Sequence, residues 1–563
     1  MTASDKQTPS WVFKGITDTI NDHLVNNDPT WRFPEENTEI PLSELHKRSI
    51  NISKYLTEKN IKAGDRVGLL LHNGADYVSL LLALWRIHAI AVPYRPLTAA
   101  LTDYKTTLAR ILENCRFSAI VFSENTSPGI LASWKMDGGG TTIMESELPR
   151  NDSTAPMEPC ILNENEVAII QYSSGSTGQP KGIIVTHGML FAQVQQQVLE
   201  YFRRWRLKLE SMGSWLPMYH DLGLIMGVVA PLYIGAKNIV ASPKFFMANP
   251  TRWFRILDRN KVQLSTTTNT AMNFSLRFLE SEADGSMNLS SLRLGFGAEK
   301  VSPIILSRTR EQLGRFSLPP DQLINAYGMA ENTLICSATS EKGIQILSAR
   351  INDDGTVSVF ERSSAGAMEL VSVGSVFSGT DVEIRDSAGR TLPDLHLGEI
   401  VIRGKCMSRG YFNNKDLTRR TFNDGWFHSN DLGFIYQNEL FYVSRKDDLI
   451  IMAGRNIIPE DIEQCVETID FVKPGTSILF MVENDSTGTA ELHLLIEANG
   501  LLSPQQQNER RRKVQLKIMS EFELLVNLVS FCAKGTVEKT SSGKKRRKII
   551  TERFRKGKIT IIG

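Results

Sequence analysis

Hydrophobic and polar positions between residues 40 and 160 switch repeatedly between two spacings. Leu42 to Lys59 has helical periodicity, Arg66-Val67-Gly68-Leu69-Leu70-Leu71 is a short apolar run, Tyr77 to His88 is helical again, and Ser118-Ala119-Ile120-Val121-Phe122 is strand-like. Helices alternating with strands predict α/β layers on a largely parallel sheet. Tyr77 to Val92 is the most membrane-like run, yet Arg86 and His88 interrupt it and it falls short of the roughly 20 residues of a spanning helix. It predicts a buried helix leading into a strand. No repeat is evident.

Farther along, the β-prone runs Val167-Ala168-Ile169-Ile170 and Ile183-Ile184-Val185 enclose a loop. Ile344 to Ile351 and Thr356 to Glu361, joined by Asn352-Asp353-Asp354-Gly355, predict a hairpin with Asp-Gly as its turn signal. Asp381 to Arg385 and Gly398 to Gly404, with a turn at Asp386-Ser387-Ala388-Gly389, predict a β subdomain. The C-terminal part predicts strands at Thr476 to Val482 and Glu491 to Ile496, and a helix opened by the capping box Ser503-Pro504-Gln505-Gln506.

Composition narrows the class. The chain's 563 residues exceed one ordinary core, so two or more domains are expected, and 41% hydrophobic content can fill them. A formal charge of +2 does not suggest wholesale nucleic-acid binding. Cys115, Cys160, Cys336, Cys406, Cys465 and Cys532 have neither zinc spacing nor the density of a disulfide framework, which predicts reduced thiols. The opening Met1-Thr2-Ala3-Ser4-Asp5-Lys6 lacks the layout of a signal peptide, so a cytoplasmic enzyme is expected.

The chemistry concentrates in Gln171-Tyr172-Ser173-Ser174-Gly175-Ser176-Thr177-Gly178-Gln179-Pro180-Lys181-Gly182. Packed Ser, Thr and Gly residues let backbone N–H groups and hydroxyls converge on an anion, and Lys181 adds a point charge. The Walker form is excluded because Pro180 stands where Gly-Lys-Ser/Thr would follow. A flexible Ser/Gly connector is the other reading of these residues taken alone.

This run closely resembles the phosphate loop of the adenylate-forming superfamily, which includes acyl-CoA synthetases, fatty acyl-AMP ligases, peptide-synthetase adenylation domains and luciferases. Further motifs follow in the family's order over roughly residues 40 to 550. The resemblance implies ATP and Mg²⁺, with Ser173, Ser174, Gly175, Ser176, Thr177, Gly178 and Lys181 around the phosphates. Gly297-Ala298-Glu299 would lie along the adenine, and Asn325-Ala326-Tyr327-Gly328-Met329 would supply Tyr327 to stack on it. Thr177 and Glu331 would hold Mg²⁺. Gly425 to Gly433 resembles the ribose motif, with Asp431 as acceptor, although Ser429-Asn430 stands where Thr-Gly is common.

Leu216-Pro217-Met218-Tyr219-His220-Asp221 resembles the segment bordering the acyl pocket, which implies His220 as a functional residue and Trp215, Met218, His220, Leu224, Gly227, Phe296 and Met329 along the acid. The resemblance implies a core over 1–443, a hinge at 444–448 with Arg445 on the ribose and Asp447 as pivot, and a small mobile α+β lid over 449–563 carrying the catalytic Lys544. Glu538 and Ser444 depart from the usual Pro and Gly. The extra segment at about 343–371, together with Ala453 to Glu463, is closest to fatty acyl-AMP ligases. The implied activity is ATP-dependent conversion of a medium or long fatty acid to its adenylate, then transfer to the thiol of an acyl carrier protein supplied in trans. An acyl-CoA ligase is the close rival, and a non-catalytic nucleotide or acyl sensor the more distant one. Lys544 to Lys558 carries nine Lys or Arg residues, either a solvated face or a surface for an acidic carrier.

Overall fold

The computed structural model describes residues 12–96, 102–126, 129, 131, 140–150, 160–173, 180–199, 201–202, 205–361, 367–452, 455–484, 489–522, 524–539 and 545–562. The architecture is α/β, with a large N-terminal domain and a smaller C-terminal one.

Two largely parallel sheets dominate the large domain. One runs Thr141–Met144, Ala119–Phe122, Arg66–Leu70, Ile90–Pro93, Val167–Ser173, Lys181–Thr186, and only its last pair is antiparallel. The other places Ile335–Ala338, Leu323–Gly328, Arg293–Phe296, Leu264–Thr267, Ser211–Ser214 and Lys237–Val240 side by side. Helix Ala75–Arg86 is buried over nearly its whole length, and the Trp85 indole donates to the Ala168 carbonyl at 3.0 Å. A helix apolar all round belongs in an interior, and this one ties the helical layer to the strand that carries the phosphate loop. No helix among the described residues is long and apolar enough to cross a membrane. All six cysteines are unpaired, and Cys160 alone is not fully buried.

The expected insertion hairpin is larger than its turn signal announces. Ile346–Ile351 pairs with Val357–Phe360 around Gly355, at φ +83°, and Met368–Val371 adds a third strand on the other edge. Alternate side chains Ala349, Val357 and Leu370 pack with Phe434, Phe441, Val443 and Ile458. Downstream, Ser477–Asn484, Thr489–Glu497 and Leu528–Cys532 form the C-terminal sheet. The capping box closes as expected: the Ser503 N–H donates to Gln506 Oε1 at 3.0 Å, and the Gln506 N–H to Ser503 Oγ at 3.2 Å.

Candidate active site

The strands Val167–Ser173 and Lys181–Thr186 are antiparallel with Ser173 opposite Lys181, so the Ser/Gly-rich run joins a hairpin. Ser174, Gly175, Ser176, Thr177 and Gly178 lie outside the described residues, as does Lys544. What surrounds the hairpin's end is defined. The Gly182 carbonyl accepts from the Phe412 N–H at 2.7 Å, Ser408 Oγ donates to the Ile184 carbonyl at 2.8 Å, and the Ser408 N–H donates to the Glu331 carbonyl at 2.7 Å. These bonds bring Tyr411 between two sites: its hydroxyl donates to Glu331 Oε1 at 2.9 Å, while Lys181 Nζ lies 5.5 Å from its ring centroid. Burial, then the Glu331 charge, raises the Tyr411 phenol above its ordinary range, which keeps it a donor. Sequence reasoning missed Tyr411, whose only signal was a Gly-Tyr pair.

A second cluster assembles from the strands Leu323–Gly328, Trp426–Tyr436 and Glu439–Arg445. The Tyr327 hydroxyl donates to Asp431 Oδ2 at 2.8 Å, and Arg445, the register partner of Asp431, holds its Nε 3.5 Å from Oδ1. Burial would pull the Arg445 guanidinium down, but Asp431 and its acidic neighbours hold it above its ordinary value. Asp431 Oδ1 is buried and accepts no hydrogen bond from the protein. A buried acceptor in that state asks for a donor, and a ribose hydroxyl is one. One side of the Tyr327 ring faces Tyr442, with centroids 5.9 Å apart and planes 24° apart.

An apolar cavity opens beside the strand Leu323–Gly328, which carries Tyr327. Period-two positions on three parallel strands form its wall: Leu264 and Thr266, Gly295 and Gly297, Ile324, Ala326 and Gly328. Gly295 leaves room there, whereas at Gly328 an added Cβ would meet the Leu334 carbonyl at 1.8 Å, and Ala298 and Asp221 complete the lining on this side. Leu222, Met226, Tyr201 and Phe377 also line it. Sequence reasoning missed these last four because their role depends on which strands become neighbours.

The residues expected along the acid are spread over several surroundings. Of them, Phe296 lines the cavity and the others do not. Leu222 and Met226 line the cavity, whereas Gly227, in the π-helical turn Ile225–Val229, sits against Ser214, where an added Cβ would approach to 3.0 Å. Trp215 stacks flat on Phe246 at 3.7 Å, Met218 is 1% exposed and held through its backbone by Asn73 and Tyr77, and Met329 packs with Cys336 and Val373. His220 lies beside Tyr219, ring centroids 4.7 Å apart, and does not line the cavity.

Two nucleotide candidates are also engaged elsewhere. The Asn325 amide donates to the Ser372 carbonyl at 2.9 Å, pointing away from the cavity as alternation requires. Glu299 Oε2 accepts from the Thr270 N–H at 2.7 Å, at the N-terminus of helix Asn269–Leu279, and burial pushes its carboxyl up. Gly297, Ala298, Ala326 and Gly328 do border the cavity.

The profile of the AMP-binding enzyme family matches residues 23–412, more than half of the chain. The chain belongs to the AMP-binding enzyme family. A second profile, the Disco-interacting protein 2-like AMP domain, matches residues 447–563. The 4-hydroxyphenylalkanoate adenylyltransferase of Mycobacterium marinum is 28% identical over 522 residues, covering 88% of this chain and 82% of that protein. The long-chain-fatty-acid–AMP ligase FadD23 of Mycobacterium tuberculosis is 28% identical over 549 residues, covering 92% and 91%. A structure from work on fatty acyl-adenylate ligases of E. coli and L. pneumophila matches with a TM-score of 0.86 at 23% identity, covering 97% of this chain and 98% of that one, a likeness of fold.

In this AMP-binding enzyme the C-terminal domain meets the core through defined contacts. Lys300, directly after Gly297-Ala298-Glu299, donates to the Val443 carbonyl at 3.0 Å and to Asp461 Oδ1 at 2.6 Å, while Gln464 donates to the Lys300 carbonyl at 3.3 Å. Lys539 and Arg546 flank the segment containing Lys544, and both face the core electrostatically: Lys539 acts on Glu299, and Arg546 on Tyr94. Asp447 pairs with Lys548 at 3.1 Å. Part of the basic tail is paired, Lys545 with Glu463 and Glu467, Arg546 and Arg553 with Glu538, and Arg547 with Glu463 and Asp448, while Lys548, Arg555, Lys556 and Lys558 are exposed.

Proposed function

We propose that the chain condenses a fatty acid with ATP to give an acyl-adenylate and pyrophosphate, then passes the acyl group to a carrier-protein thiol. The observation that carries this reading is the cavity: Gly297, Ala298, Ala326 and Gly328, positions expected along a nucleotide, line it together with Leu222, Met226, Leu264, Phe296, Ile324 and other apolar residues. An alkyl carboxylate with its charged end toward the nucleotide positions and its tail against the apolar residues would gain about 0.8 kcal/mol per buried methylene. Asp431 and Arg445 are the ribose candidates, and Tyr327 the aromatic neighbour of the base.

In the first step a carboxylate oxygen bonds to the α-phosphorus and the bond to the β-phosphate oxygen breaks, so pyrophosphate leaves with the electron pair. Two anions must meet, and charge builds on the phosphoryl oxygens, so cations aimed there dominate the rate. Lys544 is the candidate for that role, with Lys181 at the hairpin's edge. Mg²⁺ would neutralise phosphate charge, and Glu331 with Thr177 would hold it. Glu331 offers the hard oxygen donor the ion prefers, and no group of three or more metal-ligating side chains occurs among the described residues, so phosphates and water would complete the shell. In the second step a thiolate attacks the acyl carbon and AMP departs. Asp447 is the proposed pivot between the halves, with the core at 1–443, the hinge at 444–448 and the lid at 449–563.

Pyrophosphate–ATP exchange across a panel of acids tests the first half, and CoA and a phosphopantetheinylated carrier offered side by side test the second. Acid-dependent exchange with thioester on the carrier is expected. Exchange with thioester on CoA alone would replace the carrier with the CoA-ligase reading, and absence of exchange with every acid would leave a nucleotide or acyl sensor.

A further inference from the structure

The segment 406–412 joins two parts of the candidate site that are far apart in the chain. On one side it pairs with the strand Lys181–Thr186: the Ile184 N–H donates to the Gly410 carbonyl at 3.2 Å, the Phe412 N–H donates to the Gly182 carbonyl at 2.7 Å, and Tyr411 is the antiparallel bridge partner of Ile183. On the other side it holds the turn Ala330–Asn332: Thr333 Oγ1 donates to the Cys406 carbonyl at 2.7 Å, and the Ser408 N–H donates to the Glu331 carbonyl at 2.7 Å. One side chain reaches both. The Tyr411 hydroxyl donates to Glu331 Oε1 at 2.9 Å, and the Tyr411 ring centroid lies 5.5 Å from Lys181 Nζ. The place of this residue is fixed independently of its hydroxyl, by the bond from its N–H to Thr418 Oγ1 at 2.9 Å and by an edge-to-face contact with Phe422 at 5.7 Å. Tyr411 is buried, while the second oxygen of Glu331, Oε2, has no hydrogen-bond or ion-pair partner among the described residues.

We infer that Tyr411 is a positioning residue for adenylation: by bonding one carboxylate oxygen of Glu331 it fixes the rotation of that side chain and leaves Oε2 for Mg²⁺. A carboxylate free to rotate must be ordered at the moment the ion binds, and a bond from a buried phenol orders it beforehand. The phenol is neutral, so it orients Glu331 without cancelling the charge that attracts the cation. Pairing with Lys181 would cancel it, and Lys181 lies against the ring instead. The inference rests on the adenylation reading above and adds a residue to it.

The test is Tyr411→Phe in the full-length chain, which removes the hydroxyl and keeps the ring, the Phe422 contact and the backbone bonds. Calorimetric titration with α,β-methylene ATP, once with Mg²⁺ and once with EDTA, gives two Kd values whose ratio reads the contribution of the ion. Tyr411→Phe should shrink that ratio by about tenfold or more and leave the Kd in EDTA within about twofold of wild type, a split that a merely structural role would not produce. The Mg²⁺ concentration for half-maximal pyrophosphate–ATP exchange should rise in parallel. Glu331→Gln should shrink the ratio by itself, and adding Tyr411→Phe to it should shrink the ratio little further, because the two residues act as one unit. A folded Tyr411→Phe with the wild-type ratio would overturn the inference and leave adenylation in place, as would a second full loss on the Glu331→Gln background. A ratio unchanged by Glu331→Gln alone would overturn it whether or not Tyr411→Phe folds. No exchange by wild type with any acid would overturn the adenylation reading itself.

Discussion

Asp431 carries one carboxylate oxygen bonded to Tyr327 and another that accepts nothing, at 6% exposure. Arg445 Nε lies 3.5 Å from that second oxygen without bonding it, and a buried acceptor without a donor costs about 1–3 kcal/mol, which a ligand hydroxyl would offset in the proposed ribose site. Asp431→Ala should raise the KM for ATP by roughly tenfold or more, measured by exchange at saturating acid; an unchanged KM would remove Asp431 from the ribose site. Lys544→Ala should lower adenylation by about 10² to 10³ while ATP binding stays close to wild type, and near-normal turnover would remove it from the chemistry. His46 lies outside the site and governs stability. Burial, then the Arg86 charge, lowers its pKa to about 4. The unfolded chain takes up that proton near pH 6.5 and the folded chain resists it, so the contribution is present above about pH 6.5 and is lost as pH falls toward 4. It amounts to about 3 kcal/mol. The drop in urea midpoint between about pH 7 and pH 5 should be smaller for His46→Gln than for wild type, and an equal drop would assign the acid sensitivity elsewhere.

At the scale of elements, the insertion is more than a surface hairpin. Its Ala349, Val357 and Leu370 share a core with Val443 before the proposed hinge and Ile458 after it, and Leu449 packs against the same cluster. An element buried against both sides of a pivot resists motion there. Val357→Asp, which puts a charge into that cluster, should loosen the lid and raise thioester formation on CoA relative to the carrier. The measurement is the ratio of the two products; a fixed ratio with intact adenylation would leave the insertion without influence on the acceptor. The segment's existence was legible from its turn signal, but its third strand, Met368–Val371, was not. That strand finds its partner through Ile346–Ala349 rather than through an adjacent turn.

Across the whole molecule, Lys300 joins three parts of the chain: the turn after Gly297-Ala298-Glu299, the strand Glu439–Arg445 and the helix Pro459–Val466 of the C-terminal domain. Its side chain is 8% exposed and that of Asp461 is 18% exposed, so removing either partner strands the other in a low-dielectric contact. Lys300→Met and Asp461→Asn should each speed limited proteolysis near residues 444–448. A double-mutant cycle on the cleavage rates should show coupling of about 0.5–3 kcal/mol, whereas simple additivity would mean that the pair does not hold the lid.

The sequence by itself determined the elements and their chemistry. Short-range periodicity marks the alternating strands and helices, the capping box at Ser503, and the order of the Ser/Gly loop, Gly297–Glu299, Tyr327–Glu331, Asp431 and Arg445. These depend on neighbours within a few positions, where spacing is informative. Tertiary structure alone decided which side chains face the cavity. Leu222 and Met226 line it while Leu224 and Gly227 do not, across the change from α-helix to the π-helical turn Ile225–Val229, so membership in a motif does not fix direction. Tyr201, Phe377, Tyr411 and Lys300 acquire their places from contacts made across long stretches of chain, and such contacts leave no period in the residues that make them.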